Sequence, residues 1–150
     1  VKAIQLKAVA ELSRRIARTN RGYQLQMNNP KTIADYFMED MRHHRVEVFK
    51  GAFFDAKCNF IGSETVAKGS LSFAYVSPAE LFRKALLKNA VMIVILHNHP
   101  SGDTTPSRED LELTQQIARG AQLLGITLAD HIVIGDNRYY SFRGNHRLET

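Results

Sequence analysis

At 150 residues with 44% hydrophobic content, the chain is long enough for one domain with a core of its own, or one domain plus an appendage. Its single cysteine, Cys58, excludes an internal disulfide and a cysteine-based zinc finger, and fits a reducing, cytoplasmic setting. The net charge of +5 permits contact with nucleic acid or acidic surfaces without demanding it; no stretch approaches the length of a membrane span and no secretory signal is visible, so no membrane partner is expected.

In chain order, residues 2 to 19 read as a helix, with Ile4, Ala8, Leu12 and Ile16 recurring every four positions as an apolar stripe. Lys2, Lys7, Arg14, Arg15 and Arg18 cover its other faces, as a solvated surface or as a nucleic-acid face. The chain opens inside this pattern, as a piece of a longer protein would. Gly22 ends the helix and Asn28-Asn29-Pro30 breaks the chain. A second helix starts at Pro30 or Thr32, capped by Asn29, and runs to about His43, burying Ile33, Phe37 and Met41. The following His43-His44 makes a poor metal pair, because adjacent side chains point apart.

Residues 46 to 54 read as a strand, residues 55 to 59 as a turn, and residues 60 to 68 as the returning arm of a hairpin. Gly69 then bends the chain into a third strand at residues 70 to 76. Glu47 and Glu64 are the two acidic residues of these strands. Ser77-Pro78-Ala79-Glu80 opens a helix with a serine cap, proline at the first position and glutamate three after the cap. That helix buries Leu81, Phe82, Ala85 and Leu86 and fades near Asn89. The unbroken apolar run from Val91 to Leu96 reads as a central strand buried on both faces. From Ser107 a helix carries Leu113, Ile117, Ala121 and Leu124 as far as Gly125. Residues 126 to 134 return to strand, and Gly135-Asp136-Asn137 turns into a last strand over residues 138 to 142. The tail from Arg143 is polar and expected to fray.

The chemistry gathers between the central strand and the helix after it. His97 and His99 share a face if the strand continues, and Pro100 keeps His99 extended. Gly102, Pro106 and the small polar residues between them turn the chain, and Asp110 returns a carboxylate from the first helical turn. Two imidazoles and a carboxylate with a fourth position open suit a catalytic zinc ion. A plainer reading takes Ser107 and Asp110 as a capping box, but it leaves two histidines at the end of a buried strand unexplained. His97-Asn98-His99 is not the nuclease motif spelled with those letters, whose residues lie far apart. His131 is a core histidine bonded to backbone or a group behind the metal, and Cys58 an incidental thiol.

The stretch from His97 to Asp110 resembles the JAMM (MPN+) metallopeptidase signature, H-x-H-P followed by S-x-x-D, in the form found in the RadC family, historically called DNA repair proteins. The resemblance extends over nearly all of residues 45 to 143, through Glu47-Val48-Phe49, Ser77-Pro78-Ala79-Glu80-Leu81-Phe82 and Asp130-His131-Ile132-Val133-Ile134-Gly135. It implies an α/β fold of JAMM/MPN-like, cytidine-deaminase-like type, a mixed curved sheet flanked by helices. Residues 1 to 29 would be a helical remnant after a helix-hairpin-helix region, and residues 30 to 150 the RadC-type domain. His97, His99 and Asp110 would bind one zinc ion per chain, Ser107 would help hold the tetrahedral intermediate, and Glu47 would be the general base, with Glu64 in reserve. The expected activity is hydrolysis of a peptide or isopeptide bond in a peptide or protein substrate. The competing expectations are a DNA-associated accessory module with a structural or vestigial metal, and nuclease activity at the same zinc.

Overall fold

A computed structural model describes residues 2–19, 27, 29–69 and 76–148. Among them, four helices and five strands follow one another as α1 (Lys2–Thr19), α2 (Pro30–Met41), β1 (Val48–Phe54), β2 (Phe60–Lys68), α3 (Pro78–Leu87), β3 (Met92–Asn98), α4 (Arg108–Leu123), β4 (Thr127–Ile134) and β5 (Tyr139–Ser141). The third strand expected at residues 70 to 76 lies, but for Val76, outside the described residues. No helix of the described residues is long and apolar enough to cross a membrane.

The strands form one mixed sheet in the order β2-β1-β3-β4-β5. Only β3 and β4 run parallel; the other pairs are antiparallel. A parallel neighbour needs a crossover, and α4 supplies it. β3 is the middle strand, and its run from Ile93 to Leu96 is fully buried, as continuous apolarity requires of a strand covered on both sides.

The two sheet faces carry separate cores because strand side chains alternate. Phe49, Phe53, Ile93 and Ile95 face α3 and α4, meeting Leu81, Phe82, Leu113 and Ile117. Ala52, Phe54, Val94, Leu96, Ile132 and Ile134 face α2, meeting Ile33, Phe37 and Met41. Each large side chain buried this way contributes roughly 1.5–3 kcal/mol. The architecture is therefore an α/β sandwich with helices on both faces of a mixed sheet.

The helix starts follow from their caps. The Asn29 side chain accepts from the Lys31 N–H at 2.8 Å with Pro30 at the first helical position, and the Ser77 hydroxyl accepts from the Glu80 N–H at 3.3 Å ahead of Pro78. Three regions depart from the sequence expectations. On α3, Leu86, expected in the core, is 52% exposed, and only Leu81, Phe82 and Ala85 are buried. On α1, Ile4 and Leu12 of the apolar stripe are 73% and 58% exposed, because the helix packs only lightly, against α2. The stretch after β5 is not frayed: the Asn145 and Arg147 N–H groups bond to the Ser141 and Phe142 carbonyls at 3.2 and 2.8 Å, and Leu148 packs against the α3/α4 core.

Candidate metal centre

At the carboxyl ends of the parallel strands β3 and β4, loops lead on to α4 and β5. Parallel strands commonly put functional loops there. His97 sits on β3 in register with Phe49 of β1 and Val133 of β4, on the α3/α4 face. His99 follows two residues on, past the end of β3, its N–H bonded to the Ile134 carbonyl at 2.9 Å. The loop then tightens on the end of β4. Gly102 takes φ +82°, a conformation open to glycine, and its N–H bonds to the His99 carbonyl at 3.0 Å. Gly135 lies beneath it so closely that a Cβ there would stand 2.3 Å from the Gly102 carbonyl oxygen.

Ser107 caps α4. Its hydroxyl accepts from the Asp110 N–H at 3.0 Å, and its own N–H donates to Asp110 Oδ2 at 2.8 Å. This is the capping box read from the sequence, with aspartate in place of glutamate. The same carboxylate also reaches the histidines: Oδ1 is 3.2 Å from His97 Nε2, and Oδ2 is 3.4 Å from His99 Nε2. The capping and metal readings therefore hold together. The two Nε2 atoms lie 2.9 Å apart. Each of the three residues offers a ligand atom within 4.8 Å of the others.

This donor set fits a divalent ion. His99 Nδ1 lies 2.7 Å from the Asp103 carbonyl, which can only accept, so the proton of the neutral ring belongs on Nδ1 and the Nε2 lone pair faces the cluster. Burial alone would push the Asp110 carboxyl up, but its close contacts with the His97 and His99 rings hold it well below the usual carboxylate range. The Asp110 carboxylate in turn pulls His99 up from its ordinary value, over the opposing effect of burial. A carboxylate held as an anion beside convergent imidazole nitrogens could hold a cation, in charge as well as in geometry.

Glu47 is half-buried one residue before β1. Extending the pairing of Phe49 with His97 places residue 47 alongside His99, and the Glu47 carboxylate adds to the electrostatic pull that raises His99. Glu64 lies elsewhere. It pairs with Gly51 across the hairpin and is held by Lys88 at 3.1 Å and Lys84 at 4.0 Å on α3. Cys58 is a partly buried free thiol in the β1–β2 turn, and His43 pairs with Glu39 on the surface at 3.5 Å; neither belongs to the cluster.

Two roles were not legible from spacing. Asn98, between His97 and His99, points to the other face and is 1% exposed. Its Oδ1 accepts from the Val48 N–H at 2.7 Å and its Nδ2 donates to the Val46 carbonyl at 3.1 Å, so it grips the backbone on both sides of Glu47. His131 is fully buried on β4 and lies behind His97, with Nε2 2.8 Å from His97 Nδ1 and Nδ1 2.6 Å from Thr114 Oγ1. Of the two readings left open for His131, the ring bonds to the His97 and Thr114 side chains and not to backbone. Thr114 carried one weak signal, a hydroxyl four residues after Asp110 on a helix.

The model of the RadC-like JAB domain family matches residues 27–147. The chain is 40% identical over 142 residues to a UPF0758 protein of Caldanaerobacter subterraneus, covering 95% of this chain and 61% of that protein. It is 42% identical over 142 residues to a UPF0758 protein of Desulfitobacterium hafniense (95% and 63%) and 42% identical over 143 residues to one of Bacillus velezensis (95% and 62%). The chain thus spans about three fifths of the length of these curated relatives, at 61–63%.

Proposed function

The chain belongs to the RadC-like JAB domain family, and from that premise we propose that it is a zinc-dependent hydrolase that cleaves a peptide or isopeptide bond. The observation that carries the reading is the convergence of His97 Nε2, His99 Nε2 and the Asp110 carboxylate at the mouth of the parallel strand pair, with Glu47 beside them. His97, His99 and Asp110 would hold the ion. When bound, zinc supplies a Lewis acid that acidifies water and polarises a carbonyl.

The remaining work falls to the chain. Glu47 takes the proton of the attacking water as its oxygen bonds to the scissile carbonyl carbon. Ser107 accepts from the Asp110 N–H through an oxygen lone pair, which leaves its one hydroxyl proton to donate to the developing oxyanion. As the carbon–nitrogen bond breaks, Glu47 delivers the proton to the leaving amine, and acid and amine products depart.

The test begins with elemental analysis of protein purified without added metal, expected to find about one zinc per chain as a three-ligand site implies. Hydrolysis is then followed by mass spectrometry on a mixture of linear peptides and lysine-linked isopeptides. Glu47→Gln should keep the ion and abolish cleavage, while His99→Ala should lose the ion. A protein without bound metal overturns the reading, and full cleavage by Glu47→Gln removes Glu47 as the base.

A further inference from the structure

The His131 ring has two hydrogen-bonding partners among the described residues, one on each nitrogen. Phe142 stacks on it with centroids 4.5 Å apart and Phe49 meets it edge-on at 6.1 Å, so apolar walls enclose the rest. Thr114 is 2% exposed, and its hydroxyl lies 2.6 Å from both the Asp110 carbonyl oxygen and His131 Nδ1. A hydroxyl has one proton, and a carbonyl can only accept. The Thr114 proton therefore goes to the Asp110 carbonyl, and the His131 Nδ1 must bring its own to the Thr114 oxygen.

The direction set at that end passes along the chain. Among the described residues no carboxylate is bonded to the His131 ring, and the fully buried ring has no anion beside it to hold a second proton. A neutral ring with its proton on Nδ1 has only a lone pair on Nε2. That lone pair faces His97 Nδ1 at 2.8 Å, so His97 must donate there and carry its proton on Nδ1. His97 Nε2, which faces Asp110 and His99, is then the nitrogen left to give its lone pair to an ion.

We propose that Thr114 and His131 are positioning residues for the metal centre: a one-way hydrogen-bond chain from the Asp110 carbonyl that fixes His97 as the Nδ1–H tautomer and presents its Nε2 lone pair to the ion. The proposal rests on the reading of His97, His99 and Asp110 as a metal site. It adds that Asp110 serves this site twice, with its carboxylate as a ligand and with its backbone as the anchor that orients another ligand. His99 reaches the same tautomer by a shorter route, a single bond to the Asp103 carbonyl. Because the chain runs from α4 through β4 to β3, it holds two ligand-bearing elements in one arrangement before any ion arrives.

Thr114→Val keeps the shape of the side chain and removes the hydroxyl. His131 is then free to place its proton on Nε2 and donate to His97, which moves the His97 proton onto the ligand nitrogen. Zinc affinity, measured by competition with a chromophoric chelator, should fall roughly 10- to 100-fold in Thr114→Val, the loss typical when the group behind a ligand histidine is removed. Thr114→Ser, which restores the hydroxyl, should recover most of it. Nitrogen NMR of the metal-free wild-type protein, at about pH 8 where ordinary histidines are neutral, should find the His97 proton on Nδ1. A His97 proton on Nε2 overturns the proposal whether or not the valine variant folds. Wild-type affinity in a folded Thr114→Val overturns it while leaving the metal site intact, and a wild type that binds no zinc takes the metal site and this proposal together.

Discussion

Ser107 concentrates two demands on one hydroxyl. It is exposed, caps α4, and accepts from the N–H of a ligand residue, while its proton points to no acceptor among the described contacts. Ser107→Ala should therefore cost about 1 kcal/mol of stability, the usual worth of an N-cap, read from urea unfolding. If the hydroxyl also serves the oxyanion, hydrolysis should fall 10²- to 10³-fold, as when a single oxyanion donor is removed, on the order of 3–4 kcal/mol of transition-state stabilisation. Asp110 keeps its contacts to both histidines in that variant, so zinc content should stay at the wild-type level. A variant that unfolds slightly earlier yet turns over normally would leave Ser107 a cap and nothing more. Sequence alone poses capping box and metal ligand as rival accounts of Ser107 and Asp110. The geometry removes the rivalry because a carboxylate has two oxygens and several lone pairs: Oδ2 faces the Ser107 N–H while the pair spans both histidines.

Among the elements, the least regular matters most to the proposed chemistry. Glu47 stands just outside β1, where its carbonyl accepts from the Gly69 N–H at 2.9 Å and the Asn98 amide ties the residues on either side of it to β3. A buried amide that satisfies a strand N–H and a carbonyl at once sets where the neighbouring side chain goes. Asn98→Ala should leave the Val48 N–H buried without a partner, at a cost of roughly 1–3 kcal/mol. Hydrogen exchange should find the Val48 amide losing protection while the amides of β4 keep theirs, with zinc still bound. Unchanged protection at Val48 would mean that the segment is held by something else. Elements with strong period and caps were legible in advance: α2, α3 and α4 start at the residues their caps indicate, and β2 spans Phe60–Lys68 as read. The stretch after β5 was not, because its order comes from backbone bonds and from Leu148 reaching the distant α3/α4 core, neither of which leaves a periodic mark. The α1 stripe misled in the opposite way, since helical spacing shows that a face could be buried and not that anything covers it.

Across the whole molecule, the candidate site occupies one end of a sheet whose two cores lie elsewhere. The candidate cluster was visible in the sequence because His97 and His99 lie two residues apart at the end of β3 and Asp110 returns within one loop. The supports behind them were hidden, since Thr114 meets His131 across 17 residues, His131 meets His97 across 34, and Asn98 meets Val48 and Val46 across 50 and 52. This separation of core and site has a thermodynamic consequence. Both apolar clusters close without any contribution from the His97–Asp110 contacts, so stripping the ion should leave a folded protein, unlike a small zinc-nucleated domain. Zinc that binds only the folded state should then add about 2.7 kcal/mol at a free concentration a hundred times Kd. For a chain of this size that corresponds to a rise in Tm of roughly 5–10 °C. Differential scanning calorimetry with chelator and with buffered zinc should find two folded forms, each with one cooperative transition, separated by about that interval. His99→Ala should melt where the stripped wild type melts and should not respond to zinc. Collapse of the chelated protein into an unfolded chain would instead make the ion part of the fold, and would favour a structural metal over a catalytic one.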